Sequence, residues 1–308
     1  MLQSIGIIGL GRVGAALAYA LALKGLPLTA LASRDASKAE LLAKTIGQST
    51  DIAPQAVAIV DIARHADIVF IATPDDAIAA TCAKVTWDAG KTALHLSGAQ
   101  TLAVLEFASQ SGARLGSFHP LNSFTPSDLC SPHALYDKTL VLRASFVGLA
   151  ASDEECLELL QNLAQDVGAG HFLIAEENRA LYHLAAVFAA NFLTTLVATS
   201  VHLWEEMGYD PQAALAYITP LVRSASNNTL ALGSAAALTG PIARGDIGTV
   251  EKHLAALNAL TAGTQMAHLY RSLALATLPL ALAKGSIDEV RHQQMKALLQ
   301  MEEYQCVP

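Results

Sequence analysis

The 308-residue sequence predicts an α/β chain, a doubly wound parallel sheet followed by an all-α C-terminal domain. Three observations carry this expectation. Short apolar runs alternate with helix-patterned segments through the first half, the pattern turns to long helical stretches after about residue 152, and a glycine-rich turn follows the first apolar run directly. Near-continuous apolar runs suit parallel strands that are covered on both faces. The length suits two domains, with 1–150 expected to be the sheet domain and 151–308 the helical one.

Strands are expected at 5–8, 28–32, 68–72, 92–96, 114–118 and 139–142, with one more at 170–174 inside the otherwise helical second half. Gly208, Pro211, Pro220, Gly240, Pro241, Gly263 and Gly285 then punctuate five or six helices. One helix runs without Gly or Pro from about Glu176 to about Met207, roughly 45–50 Å at 1.5 Å per residue, the length of a spine between domains or subunits. Residues 180–201 within it are nearly apolar over a bilayer's thickness. His183, Asn191, Thr194 and Thr195 interrupt that run and neither flank is rich in Lys or Arg, so the reading is a buried helix at the centre of an α-domain or dimer.

Composition narrows the function classes. The chain is 53% hydrophobic and 15% charged, which argues against disorder. Its net charge of -8, with no basic cluster, excludes a nucleic-acid surface. Cys82, Cys130, Cys156 and Cys306 show no paired spacing, and no basic segment precedes an apolar stretch at the start; a cytoplasmic protein is expected. No H-x3-H or C-x2-C pair occurs, so metal chemistry is not expected.

Gly9, Gly11 and Gly14 form a G-x-G-x-x-G turn between the first strand and the first helix, with Arg12 and Val13 inside it. Gly9 suits a tight turn, Gly11 lets backbone approach a pyrophosphate, and Gly14 allows helix to pack on strand, while the helix N-terminus supplies positive potential. A dinucleotide is therefore the expected ligand of a Rossmann domain. The second strand ends in Ser33 and Arg34, where an NAD site usually carries an acid for the ribose 2′-hydroxyl; a hydroxyl and a guanidinium suit a 2′-phosphate, hence NADP(H). Asp35 either serves the ribose or caps the next helix. Thr73 and Pro74 close the 68–72 strand and Ser97 the next, so both turns are expected to line the cofactor crevice.

Residues 94–98 (LHLSG), 116–121 (GSFHPL), 181–192 (LYHLAAVFAANF) and 238–246 (LTGPIARGD) resemble the family that joins a Rossmann-like NADP-binding domain to a helical domain of unknown function, DUF2520. That family is similar to the 6-phosphogluconate dehydrogenase-type reductases, among them ketopantoate reductase and pyrroline-5-carboxylate reductase. The resemblance implies an NADP-linked oxidoreductase whose helical domain closes over the nicotinamide and often dimerises. Related hydroxyacid and ketopantoate enzymes use a lysine in the long helix; the interior of this helix has none, and Arg179, near that place, cannot act as a general acid.

Four residues stand as catalytic candidates. His183 and Asn191 lie two turns apart on the long helix, roughly 80° around it at 100° per residue, and share a broad face with Thr194. Hydride reduction of C=O or C=N needs a proton donor and a hydrogen-bonding group on the heteroatom, which His and Asn provide; the alternative is a satisfied core pair. His119 ends a strand on the cofactor side and either holds substrate, acts as the acid or bonds local backbone. Arg244 sits two residues before Asp246 and either binds a substrate carboxylate or pairs structurally with it. Three functions stay open: an NADPH-dependent reductase of a small carbonyl or imine acid working as a homodimer, a non-catalytic NADP(H) sensor, and an NADP oxidoreductase with a deazaflavin-type partner.

Overall fold

Ile5–Ile8 (β1), buried throughout, lies inside an eight-stranded sheet. The other strands are Leu28–Ala32 (β2), Gln55–Ala56 (β3), Ile68–Ile71 (β4), Thr92–His95 (β5), Arg114–Leu121 (β6), Phe146–Ala151 (β7) and Gly170–Leu173 (β8). Their order is β3-β2-β1-β4-β5-β6-β7-β8, parallel throughout except for the antiparallel β6–β7 pair. Strand order reverses between β1 and β4, and in such sheets ligands lie beyond the carboxyl ends at that switch point. The computed structural model describes residues 3–126, 128–261 and 263–300; Cys306 lies outside them.

Helices in the first part of the chain are Arg12–Leu23 (α1), Ala36–Ser49 (α2), Ile62–His65 (α3), Ile78–Cys82 (α4), Glu106–Gln110 (α5), Pro132–Arg143 (α6) and Glu154–Asp166 (α7). After β8 come Arg179–Ala186 (α8), a π-helical turn Val187–Asn191, and Phe192–Glu206 (α9). Pro211–Leu232 (α10), Ser234–Ala237 (α11), Ile247–Asn258 (α12), Gly263–Ala283 (α13) and Glu289–Gln300 (α14) complete the described chain.

The sheet is covered on both faces, and the strand alternation shows how. Ile5 and Ile7 of β1 and Ile68 and Phe70 of β4 enter one apolar core, while Ile8, Val69 and Ile71 enter a second. Alanine-rich α1 is buried from Gly14 to Ala22. It stops at Gly25, whose φ of 70° lets the amide of Leu26 reach back to Leu21 and that of Gly25 to Ala22.

One expected strand is a helix. Residues 139–142 belong to α6, whose buried Leu135, Thr139 and Leu142 follow helical spacing after a Ser131 cap; the strand sits at β7 instead. The chain divides into two compact units at Thr194/Thr195, inside α9, so β7 and β8 fall with the sheet. The second unit has its own core, including Val250, Leu254, Leu278, Met295 and Leu299.

Burial of residues 180–201 is not met within the chain. The most apolar 18-residue window of the span Glu176–Glu206 has a mean hydropathy of 1.8, and none of that window is buried. Phe188 is 63% exposed and Leu181 68%. By length and composition this helix and Gly263–Ala283 are the two, among the described residues, able to cross a membrane.

Candidate functional site

Gly9 adopts φ 92°, and a Cβ there would lie 2.7 Å from the Ala72 carbonyl oxygen. A Cβ on Gly14 would lie 2.0 Å from the Gly9 carbonyl oxygen and 3.0 Å from the Ala72 Cβ. These two glycines seat α1 against the β1 and β4 ends. Gly11 differs, since a Cβ there would meet nothing within 4 Å. As the N-cap of α1 it offers no side chain to the first-turn amides of Arg12, Val13 and Gly14, and no acid stands in that turn. Open space before an uncapped helix N-terminus fits a phosphate.

At the end of β2, Ser33 is half-buried and Arg34 is exposed, without an ion pair among the described residues. Asp35 caps α2: its carboxylate accepts from the Ser37 hydroxyl at 2.6 Å and the Ser37 amide at 3.2 Å, bonds that hold its pKa below the usual value. The capping alternative is thus the one observed. Thr73 Oγ1 is buried without a partner among the described residues. Pro74 opens a short 3₁₀ turn at Asp75–Ala77. Ser97 donates to Asp75 Oδ2 at 2.7 Å and accepts from the Gln100 amide at 3.0 Å, which fixes the turn after β5.

Beside the glycine turn, within the first unit, lies a cavity of about 610 Å³. Arg12, Val13, His119, Phe124, Tyr182, His183 and Asn191 are among its walls. Three of the four catalytic candidates therefore meet at one cavity. The π turn explains how His183 and Asn191 align: it takes up one extra residue, so eight positions advance like seven and the two differ by about 20° rather than 80° around the axis. Thr194 bonds back to the Ala190 carbonyl at 3.2 Å.

Arg244 lies in the second unit, exposed, with no ion pair to Asp246. Asp246 caps α12 by accepting from the Thr249 amide at 3.1 Å and the Thr249 hydroxyl at 2.7 Å.

Two sets of contacts are absent from the sequence reading. Tyr182, one residue before His183, has its hydroxyl 2.5 Å from His119 Nδ1. Arg179 is 1% exposed and locked, its Nε on Glu176 at 2.7 Å and its Nη2 on the Ser117 hydroxyl at 2.7 Å. Glu176 in turn accepts the Leu102 amide at 2.7 Å. Arg179 thus tethers the start of the long helix to the sheet, and its charge stands near two imidazoles. Burial, then the Arg179 charge, pushes His95 down to about 3. His119 is pushed down to about 4 by burial, with His183 and Arg179 adding. Burial raises the Tyr182 phenol to about 12.

The comparisons bear on the fold and on the family models that the chain matches. Residues 4–96 match the family model described as NADP oxidoreductase, coenzyme F420-dependent, and residues 145–277 match that of the domain of unknown function DUF2520. TM1727 of Thermotoga maritima superposes with a TM-score of 0.69 at 23% identity, covering 91% of this chain and 99% of that one. Pyrroline carboxylate reductase of Plasmodium falciparum, solved with NADP bound, gives 0.55 at 11%, covering 96% and 98%. Reductive aminase of Aspergillus terreus, in complex with NADPH4, cyclohexanone and allyl amine, gives 0.57 at 18%, covering 97% and 93%. At these identities the likeness is one of fold. No curated protein matches the sequence. The chain thus carries, in order, a match to the NADP oxidoreductase model and a match to the DUF2520 model, the pairing that its sequence motifs resemble.

Proposed function

We propose that this protein is an NADP(H)-dependent oxidoreductase that reduces a small carbonyl or imine compound. The observation that carries the reading is the adjacency, inside one unit, of an uncapped glycine turn and a cavity walled by His119, His183 and Asn191. Matching of residues 4–96 to an NADP oxidoreductase model, and a fold shared with NADP-bound reductases, support it. The reduced nicotinamide would supply a hydride. The α1 amides and Arg12 would hold the pyrophosphate, and Ser33 with Arg34 the 2′-phosphate. Asn191 would donate to the substrate heteroatom, and the apolar wall at Val13 and Phe124 would limit water.

A carboxylate on the substrate is the finer proposal. A homodimer is the proposed assembly: Leu181, Leu184, Phe188 and Phe192 of the long helix are exposed, as are Leu221, Leu230 and Leu232 in α10, more apolar surface than an isolated soluble chain usually shows. A cytoplasmic location accompanies it.

Two measurements test the reading. NADPH absorbance followed over a panel of 2-oxo acids and cyclic imines should fall with at least one; tight NADPH binding without consumption across the panel would favour a sensor. Arg34→Ala should weaken NADPH about 10–100-fold, the worth of a charge-assisted contact of about 1.5–3 kcal/mol, and leave NADH unchanged in titration calorimetry. Equal loss for both nucleotides would remove the 2′-phosphate assignment.

A further inference from the structure

We propose that Tyr182 gives the substrate its proton, with His119 as the residue that aims and supports the phenol; this rests on the reductase reading above. The pair is built into the sheet. His119 of β6 faces Gly148 of β7 across the antiparallel ladder, and a Cβ on Gly148 would stand 3.1 Å from the Tyr182 hydroxyl. On the other side, a Cβ on Gly98 would stand 2.8 Å from His119 Cε1. Two positions without side chains thus clear the room that ring and hydroxyl occupy. The His119 and Tyr182 rings meet edge-on at 5.5 Å, and Phe172 meets Tyr182 at 5.7 Å. The phenol is gripped between two rings while both members line the cavity beside Arg12 and Val13.

The chemistry favours the phenol over either imidazole. His119 is neutral at pH 7, so it holds no imidazolium proton to give. Among the described residues no hydrogen bond fixes the ring of His183. Tyr182 keeps its proton at pH 7 and still yields it to a developing alkoxide or amide nitrogen, far stronger bases than a phenolate. With its own proton on Nδ1, His119 donates to the phenol oxygen and leaves the O–H for the substrate.

A reduced nicotinamide bound there would supply the hydride for the new C–H bond, and the C=O or C=N π pair would move onto the heteroatom. That atom takes the phenolic proton as the Tyr182 O–H bond breaks. The phenolate is held by the His119 Nδ1–H and regains a proton from water. The nicotinamide would be oxidised and the substrate reduced by two electrons.

The test uses the full chain in two settings. In the cofactor-free protein, ¹⁵N-histidine NMR should show His119 neutral at pH 7, with its Nδ1 resonance displaced in Tyr182→Phe. A His119 that titrates near 6.5 and ignores the substitution would overturn the pair. In turnover of whichever panel compound the wild type reduces, Tyr182→Phe should lower kcat about 10²–10⁴-fold with NADPH affinity unchanged. His119→Asn should lower kcat less and change the pH profile. Tyr182→Phe keeping more than a tenth of wild-type kcat would end this role and leave the reductase reading standing. A wild type that binds NADPH and reduces nothing would end both.

Discussion

Gly14→Ala should cost both stability and dinucleotide binding, whereas Gly11→Ala should cost binding alone. The distinction follows from what each added methyl meets. At Gly14 the Cβ would fall 2.0 Å from the Gly9 carbonyl oxygen, a backbone atom that cannot rotate away, so α1 must shift off the β1 and β4 ends. Forced overpacking of this kind costs about 1–3 kcal/mol, and more where backbone has to move. The shift also carries the first-turn amides out of line. At Gly11 the methyl meets nothing within 4 Å and occupies only the space through which a pyrophosphate reaches those amides. Thermal melts and NADPH fluorescence titrations of the two variants separate the effects. Gly14→Ala should melt lower and bind at least about 100-fold more weakly, the loss of two charge-assisted contacts, while Gly11→Ala should melt with the wild type and bind weakly. Equal melting temperatures for all three proteins would contradict the packing assigned to Gly14.

Acid should unfold the protein in a window set by two histidines. His95, fully buried, has its pKa pushed down to about 3, and His119 to about 4, from an unfolded value near 6.5. Below 6.5 the unfolded chain therefore binds protons that the folded chain refuses, and stability falls as pH falls until each folded pKa is reached. Each group changes stability by about 1.4 kcal/mol per pH unit inside its window, so together they remove about 4 kcal/mol between pH 6.5 and 4.5. That is a large share of the 5–15 kcal/mol typical of a folded domain. The depressed carboxylates of Asp35, Asp67, Asp153 and Asp246 titrate below this window. Urea unfolding at half-unit pH steps should show the slope, and His95→Gln should reduce it by about half. A flat profile from pH 7 to 5 would mean that both rings are reached by water.

Much of the first unit was legible because parallel strands and a glycine turn leave local marks. Five apolar runs became β1, β2, β4, β5 and most of β6. Residues 139–142 misled because an apolar triplet reads as strand when the helical spacing from Leu135 is overlooked. β7 escaped because Gly148, Ala150 and Ala151 dilute its apolar signal, and its partner β6 lies across a long connection. The same antiparallel pairing hid Tyr182. Nothing in the 181–192 stretch marks that residue above its neighbours; its value arises where β6, β7 and α8 converge. For Asn191, regular helix geometry puts the residue well around from His183, and the π turn closes that angle. Asp35 had the ribose as its alternative and Asp246 a pairing with Arg244, and in both the cap won: a carboxylate just before a helix meets free amides of its own chain first.

The central claim, that a dinucleotide lies over the glycine turn with its reactive end in the His119–Tyr182 cavity, is tested most directly by a crystal structure of the chain with NADPH. The pyrophosphate should lie within hydrogen-bond distance of the Arg12 and Val13 amides, the 2′-phosphate against Arg34, and nicotinamide C4 beside the Tyr182 hydroxyl. A dinucleotide bound away from Gly11, or a nicotinamide ring turned out of that cavity, would contradict it.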